Sequence, residues 1–222
     1  MDKLVPSFKQ SLFDSNLGEI GIDIAEVGID TLIADGVFSE IPIVKTIVGL
    51  GKFVQNIHDR NLLQQTLTFI QTFNGNTNSE KVRRYKNKLE NDPKRAEQEL
   101  GRVLIILNRY IDKRKSSFLS KLFLSYVNEV INWSEFSEFS EMLSMMLDSD
   151  ISTLYETYQS KGIYDVRIIS RKHDRLLNIG LMKNVARESG NTYIMPIGVE
   201  NPLLMDLSEI GYEFCNIIFE MQ

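Results

Sequence analysis

The sequence predicts a mainly α protein. An N-terminal apolar helical hairpin leads into a helical bundle, and a small C-terminal domain follows in which helices flank a strand pair. Three observations carry this. Apolar residues recur at three- and four-residue intervals, as in Leu63, Leu67 and Ile70, or Leu100, Val103, Leu104 and Leu107. Helix start and stop signals punctuate the chain at regular distances. Only after Gly162 does the pattern admit strands. The expected division is 1–76 for the apolar region, 77–149 for the helical body and 150–222 for the last module.

The elements follow in order. Ser15–Gly36 reads as a helix over 16–34 that stops at Asp35-Gly36, and Ser39 with Pro42 reads as a new start. A second helix is expected over 41–73, with a break near Asn56. Asn74-Gly75-Asn76 forms a turn. Thr77 to Glu80 has the spacing of a capping box, which places a helix over 79–90. Asp92 and Pro93 are the cap and first residue of a helix over 93–113. Further helices are expected over 116–131, 135–147 and 150–161. Asp165–Gly180 reads as one helix, Leu181–Arg187 and Asn191–Gly198 as two strands, and Asp206–Met221 as a final helix.

Composition narrows the function classes. The chain has 222 residues, 43% of them hydrophobic, and a net charge of -5, which disfavours a general nucleic-acid binder. One cysteine, Cys215, excludes an internal disulfide; its place beside Phe214 and Ile218 marks it as core. Residues 1–14 lack a sustained apolar core, so no signal peptide is expected and a cytoplasmic location is. Charge is uneven: 13 Lys or Arg against 6 Asp or Glu over 79–121, then 1 against 8 over 122–165. This pattern fits helices with complementary faces, or a basic surface for an anionic partner.

Catalytic chemistry is not expected. His58 and His173, each followed by Asp, have no nucleophile pattern, and no Cys/His set has zinc-ligand spacing. Gly49 to Lys52 lacks the strand and the Ser or Thr of a phosphate-binding loop. No cofactor is implied.

The opening apolar run is the most distinctive stretch. On a helix, Glu19, Asp23, Glu26 and Asp30 fall on one stripe roughly 60° wide. Gly18, Gly21, Ala25 and Gly28 form a second, smooth stripe. Glycine inside a helix costs about 1 kcal/mol against alanine, so close packing must compensate. Leu17–Ala34 would extend about 27 Å, close to the roughly 30 Å of a bilayer core. Lys45 and Lys52, seven apart, would share a face and neutralise the acids in an antiparallel hairpin. Opened, several copies could surround water with their acids, and a ring of Asp and Glu would favour cations. The ordinary alternative is a half-buried bundle helix whose acids form its solvated edge, and a groove for a protein partner is the third reading.

Two resemblances bear on role. The segment "RLLNIGLM", a strand pair, then "LSEIGYEF" resembles the winged-helix modules common in bacterial proteins, with Leu207, Ser208, Gly211 and Phe214 at the matching places. This implies a winged-helix-like fold over 150–222. Arg167, Arg171 and Arg175, four apart, with Lys172, Lys183 and Arg187 nearby, would then meet nucleic acid or a protein partner. The stretch Ile41–Phe73 is similar to small bacterial proteins carried by prophages and mobile elements, and the layout resembles that of membrane-permeabilising anti-phage effectors. It implies a non-enzymatic effector that answers a protein trigger such as a phage component, forms a homo-oligomer and moves to the inner face of the cell membrane. A DNA-binding regulator and a scaffold are the other readings.

Overall fold

The computed structural model of the chain describes residues 3–15, 17, 23–24, 26–34, 36–49, 57–75, 80–160, 164–166, 171–185 and 203–220. They are mainly helical, as the periodicity requires. The chain divides into two compact units, Met1–Ser140 and Glu141–Gln222.

In the first unit α1 (Leu4–Asp14), α2 (Ile29–Ala34), a 3₁₀ turn (Val37–Glu40) and α3 (Pro42–Val48) precede α4 (Ile57–Asn74), α5 (Glu80–Asn91), α6 (Pro93–Arg109) and α7 (Lys113–Val127). The helix α8 (Trp133–Met145) contains the division point. The centre is α4, every residue of which from Leu63 to Ile70 is buried. It packs against α1, α6 and α7. Phe8, Phe69, Phe73, Phe123 and Phe136 fill the core, with ring centroids 5.5–6.0 Å apart along the chain of contacts from Phe8 through Phe69 and Phe123 to Phe136, and between Phe73 and Phe123. The buried amides of α4 work as backbone partners. Gln64 donates to the Ile24 carbonyl at 2.6 Å, and Gln65 donates to that of Ile111 at 3.0 Å. Both replace bonds that irregular chain would otherwise leave unmade.

Caps set several boundaries. Asp92 accepts from Arg95 N at 3.0 Å, as its place before Pro93 predicts. The helix expected over 93–113 ends at Arg109, because Tyr110 is extended and Asp112 caps the next helix by accepting from Arg114 N at 2.9 Å. Asn132 and Glu135 form a reciprocal capping box at the start of α8. The cap on α3 is Ile41 rather than Ser39, which sits inside the 3₁₀ turn. Thr77–Ser79, of the expected capping box, lie outside the described residues.

Two further expectations are corrected. The continuous helix over 16–34 is not formed: Asp23, Ile24 and Glu26 to Gly28 are non-helical, and among the described residues there only Ile29–Ala34 is α-helical. Its glycines and β-branched residues give it low helix propensity, and α4 supplies hydrogen bonds to non-helical backbone instead. In particular, Ile24 N donates to Gln71 Oε1 at 3.0 Å. The helix α1 was not expected from the sequence, although Val5, Phe8 and Leu12 carry its buried face at spacings of three and four.

The second unit holds α9 (Asp148–Gln159), β1 (Tyr164–Val166), α10 (Arg171–Asn178), β2 (Met182–Val185), β3 (Leu203–Leu207) and α11 (Glu209–Cys215), which continues as a π-helical turn over Asn216–Glu220. The three strands are antiparallel in the order β1-β3-β2, with Tyr164 opposite Met205 and Met182 opposite Leu207. The helix expected over 165–180 therefore starts later, because Asp165 and Val166 pair with β3. The final helix likewise begins at Glu209, because Asp206 and Leu207 belong to the sheet and Ser208 caps it. The strand expected over Asn191–Gly198 lies outside the described residues. Instead β2 pairs with β3.

Helix α10 ends in a Schellman motif. Leu181 N donates to Leu176 O and Gly180 N donates to Leu177 O, both at 3.0 Å, with Gly180 at φ 82°. The next contact requires glycine again. A Cβ on Gly211 would lie 2.0 Å from the Leu181 carbonyl oxygen, so α11 touches that backbone directly. Ser208 fastens the approach, donating from N to Leu181 O at 3.1 Å and from Oγ to Gly180 O at 2.5 Å.

Candidate functional site

Of the residues expected to line a pore, the structure describes Asp23, Glu26, Gly28, Asp30 and Lys45. Glu19, Gly21 and Lys52 lie outside the described residues. Asp23 and Glu26 are exposed on non-helical chain, and Asp30 lies on α2, paired with Arg60 of α4. Lys45 pairs with Glu40 at 2.6 Å, and among the described residues with no acid of the 19–30 run. Gly28 is exposed and a Cβ there would meet nothing within 4 Å, so it marks no close approach in this fold. Around these residues the segment is apolar and stowed: Leu17, Ile24, Leu32, Phe38, Ile41, Ile43, Val44 and Ile47 are all buried. Several polar contacts hold it, among them the Asp30–Arg60 pair and the bond from Asn74 Nδ2 to the Ser15 carbonyl at 2.6 Å. Besides the two bonds from α4 to Ile24, Ile43 N donates to Ser11 Oγ at 2.9 Å, and the hydroxyls of Ser7 and Thr46 are 2.6 Å apart.

Of the basic residues expected to contact a partner, Arg167 and Arg187 lie outside the described residues. Arg171 and Lys172 open α10, and Lys183 is exposed on β2. Arg175 has a structural role: its guanidinium donates from Nε and a terminal nitrogen to both oxygens of the fully buried Asp150 carboxylate. Asp150 also accepts from Leu147 N at 2.7 Å, which caps α9.

A different constellation, missed from sequence, surrounds a cleft of about 580 Å³ in the first unit. Lys81, Tyr85 and Lys88 come from one face of α5, Arg95 from the first turn of α6, Tyr126 from α7, and Trp133 and Glu135 from α8. The floor is a polar network. Glu99, itself buried, accepts from Tyr85 Oη at 2.6 Å, Arg95 Nε at 2.7 Å and Tyr126 Oη at 2.9 Å. Arg95 donates in turn to Tyr126 Oη at 2.9 Å. Burial, reinforced by the Glu99 charge, pushes the Tyr85 phenol far above its ordinary range. The Tyr126 phenol is pushed up to about 12, first by burial. The Arg95 guanidinium is held charged by its bond to Tyr126 and by Glu99.

Aromatic rings form one wall. Trp133 lies 5.1 Å from both Tyr126 and Phe136, centroid to centroid. Two lysines reach across the mouth to the turn between α7 and α8: Lys81 Nζ donates to the Asn128 carbonyl at 2.5 Å, and Lys88 lies 3.6 Å from Glu129. Glu129 occupies the left-handed position of a Schellman motif at φ 56°, where glycine is the usual residue. The sequence signal for this site was the single tryptophan, at a helix start, with the 81, 85, 88 spacing on a neighbouring helix. Nothing in the sequence indicates that these elements face one another.

Among the described residues no helix is long and apolar enough to cross a membrane, and no group of His, Cys, Asp or Glu could hold a metal ion. Cys215 is fully buried, and burial pushes its thiol well above the ordinary range, away from reactivity. Comparison of the chain with family models, with curated proteins and with solved structures finds no match.

Proposed function

We propose that the chain is a non-enzymatic bacterial defence effector. In this reading a protein trigger releases the N-terminal apolar segment, copies assemble, and the segment permeabilises the inner face of the cell membrane. Residues 15–57 act on the membrane, and residues 77–222 sense the trigger and hold the copies together. The observation that supports it is the stowed state of the segment. Eight apolar residues between Leu17 and Ile47 are buried in short separate elements, while Asp23, Glu26, Asp30 and Glu40 stay exposed. Detaching the segment exposes its eight buried apolar side chains, a cost that burial of the same side chains in lipid offsets, and the sequence can rewind there, where helix is the form that satisfies its backbone. Gly21 and Gly28 would then permit close helix contact, and Glu19, Asp23, Glu26 and Asp30 would line water opposite Lys45 and Lys52.

The test is membrane potential in bacteria that carry the protein, with and without phage challenge. Depolarisation should follow challenge and coincide with transfer of the protein to the membrane fraction. Challenged cells that keep their potential, with the protein still out of that fraction, would refute the reading.

A winged-helix-like module with DNA or protein contacts is the second reading. The succession α10, β2, β3, α11 favours it, as does exposed Lys183. Retardation of duplex DNA at low salt by the full chain would support it, with affinity falling steeply as salt rises.

A further inference from the structure

The cleft between α5 and the α7–α8 turn has the size and chemistry of a small-molecule site, independently of any membrane role. Its volume of about 580 Å³ lies within the range of ligand pockets, roughly 300–1,000 Å³. One wall is aromatic: the Trp133 indole is braced by Tyr126 and Phe136 at 5.1 Å and so presents a fixed surface for a planar ring. Two of the negative charges around it are firmly engaged. Glu99 is bonded to Tyr85, Arg95 and Tyr126, and Glu135 Oε2 accepts from Asn132 N at 2.6 Å to cap α8.

The lysines are differently placed. Among the described residues Lys81 makes one bond, to a carbonyl, and its ammonium has further donors. Lys88 is held only loosely by Glu129, at 3.6 Å with both side chains more than half exposed, and such pairs are weak. Glu129 itself sits in a backbone conformation that disfavours a side chain, so a carboxylate is kept at the mouth at some conformational cost. An incoming anion could replace it as the partner of Lys88.

We propose that this cleft binds a small molecule built of a planar ring and an anionic group, with the ring against Trp133 and the anion between Lys81 and Lys88. A nucleoside phosphate and an aromatic carboxylate share this chemistry.

Trp133 is the only tryptophan, so a single indole N–H resonance reports on the site. The full chain is titrated with adenosine 5′-monophosphate, 4-hydroxybenzoate, adenosine and inorganic phosphate. A saturable shift is expected with at least one of the two ring-bearing anions, and which of them responds identifies the source. Adenosine and phosphate alone should bind at least about tenfold more weakly than the responding anion. The variant with Lys81→Ala and Lys88→Ala changes side chains at the cleft mouth. With its fold verified by circular dichroism, it should lose about tenfold in affinity for that anion and keep its response to adenosine. The proposal is overturned if neither anion moves the resonance up to millimolar concentration. It is also overturned if phosphate binds as well as the ring-bearing anions, or if the double variant binds them unchanged.

Discussion

Arg175 holds Asp150 by a two-point fork, with Nε 2.8 Å from one carboxylate oxygen and a terminal nitrogen 2.7 Å from the other. Asp150 is fully buried, so removing the cation leaves a desolvated charge whose remaining bond among the described residues is to the Leu147 amide. Arg175→Ala should therefore destabilise the second unit, read as a lower midpoint of urea unfolding. Asp150→Asn should lower it similarly. An unchanged midpoint for both would mean that the fork is not maintained in solution. The same pair controls any DNA experiment: if Asp150→Asn weakens DNA binding as much as Arg175→Ala does, the arginine acts through the fold rather than by contact.

Gly211→Ala should be strongly destabilising although the change is a single methyl. The new Cβ would lie 2.0 Å from the Leu181 carbonyl oxygen, and that carbonyl is fixed by its bond from Ser208 N. Moving backbone apart costs about 1–3 kcal/mol or more. Thermal denaturation reads the loss, and an unchanged midpoint would show that α11 does not approach Leu181 this closely.

Glu129→Gly should stabilise the first unit by about 0.5–1 kcal/mol. Relief of the left-handed backbone is worth roughly 1 kcal/mol or more, and the exposed pair with Lys88 is worth about 0–1. Chemical denaturation of the single variant decides it, and net destabilisation would mean that the carboxylate contributes more than an exposed pair does.

Stability should fall at alkaline pH. Unfolded tyrosines lose their proton near 10. In the folded chain Tyr126 keeps its proton to about 12 and Tyr85 to still higher pH, because burial and Glu99 disfavour the phenolate. Raised folded values contribute stability that is complete below pH 10 and is lost as pH rises toward 12. Tyr85→Phe should cost about 1–2 kcal/mol at pH 8 by taking a donor from buried Glu99, yet flatten the alkaline decline. Parallel slopes for the variant and the parent between pH 9 and 11 would contradict this.

A cysteine pair at Ser7→Cys and Thr46→Cys should lock the apolar segment to the bundle. The two hydroxyls are 2.6 Å apart across 39 residues, on α1 and α3. Oxidation should add about 4 kcal/mol by loop closure. Buried Cys215 will not compete. If the segment acts on membranes, the oxidised form, expressed in cells that lack thioredoxin and glutathione reductases so that the bridge persists, should fail to depolarise them on challenge, and the Ser7→Ala, Thr46→Ala variant should not fail. Equal depolarisation by both would remove the segment from the mechanism.

The sequence by itself determined the helical class, the buried stripes of the long helices and some of the residues that start and stop them. Leu63, Leu67, Ile70, Leu100, Val103, Leu104 and Leu107 are all buried as their spacing predicts, because a three-to-four period has one stable use in a packed helix. Asp92, Pro93 and Gly180 act locally, through their own backbone and side-chain geometry, so they too were legible. Tertiary structure decided what depends on partners distant in sequence. Asp23 to Gly28 fits a helical wheel as well as any segment, but Gln64 and Gln71, some 40 residues away, bond to non-helical chain at Ile24. Tyr164–Val166 became a strand because Leu203–Met205 pair with it, and Arg175 became a buried-pair partner because Asp150 lies within reach. The cleft needed α5, α6, α7 and α8 to converge before Trp133, Lys81 and Lys88 could share one space. Local periodicity encodes which face of a helix is buried. Which helix receives that face, and which polar groups thereby meet, is set by long-range packing that no short stretch of sequence contains.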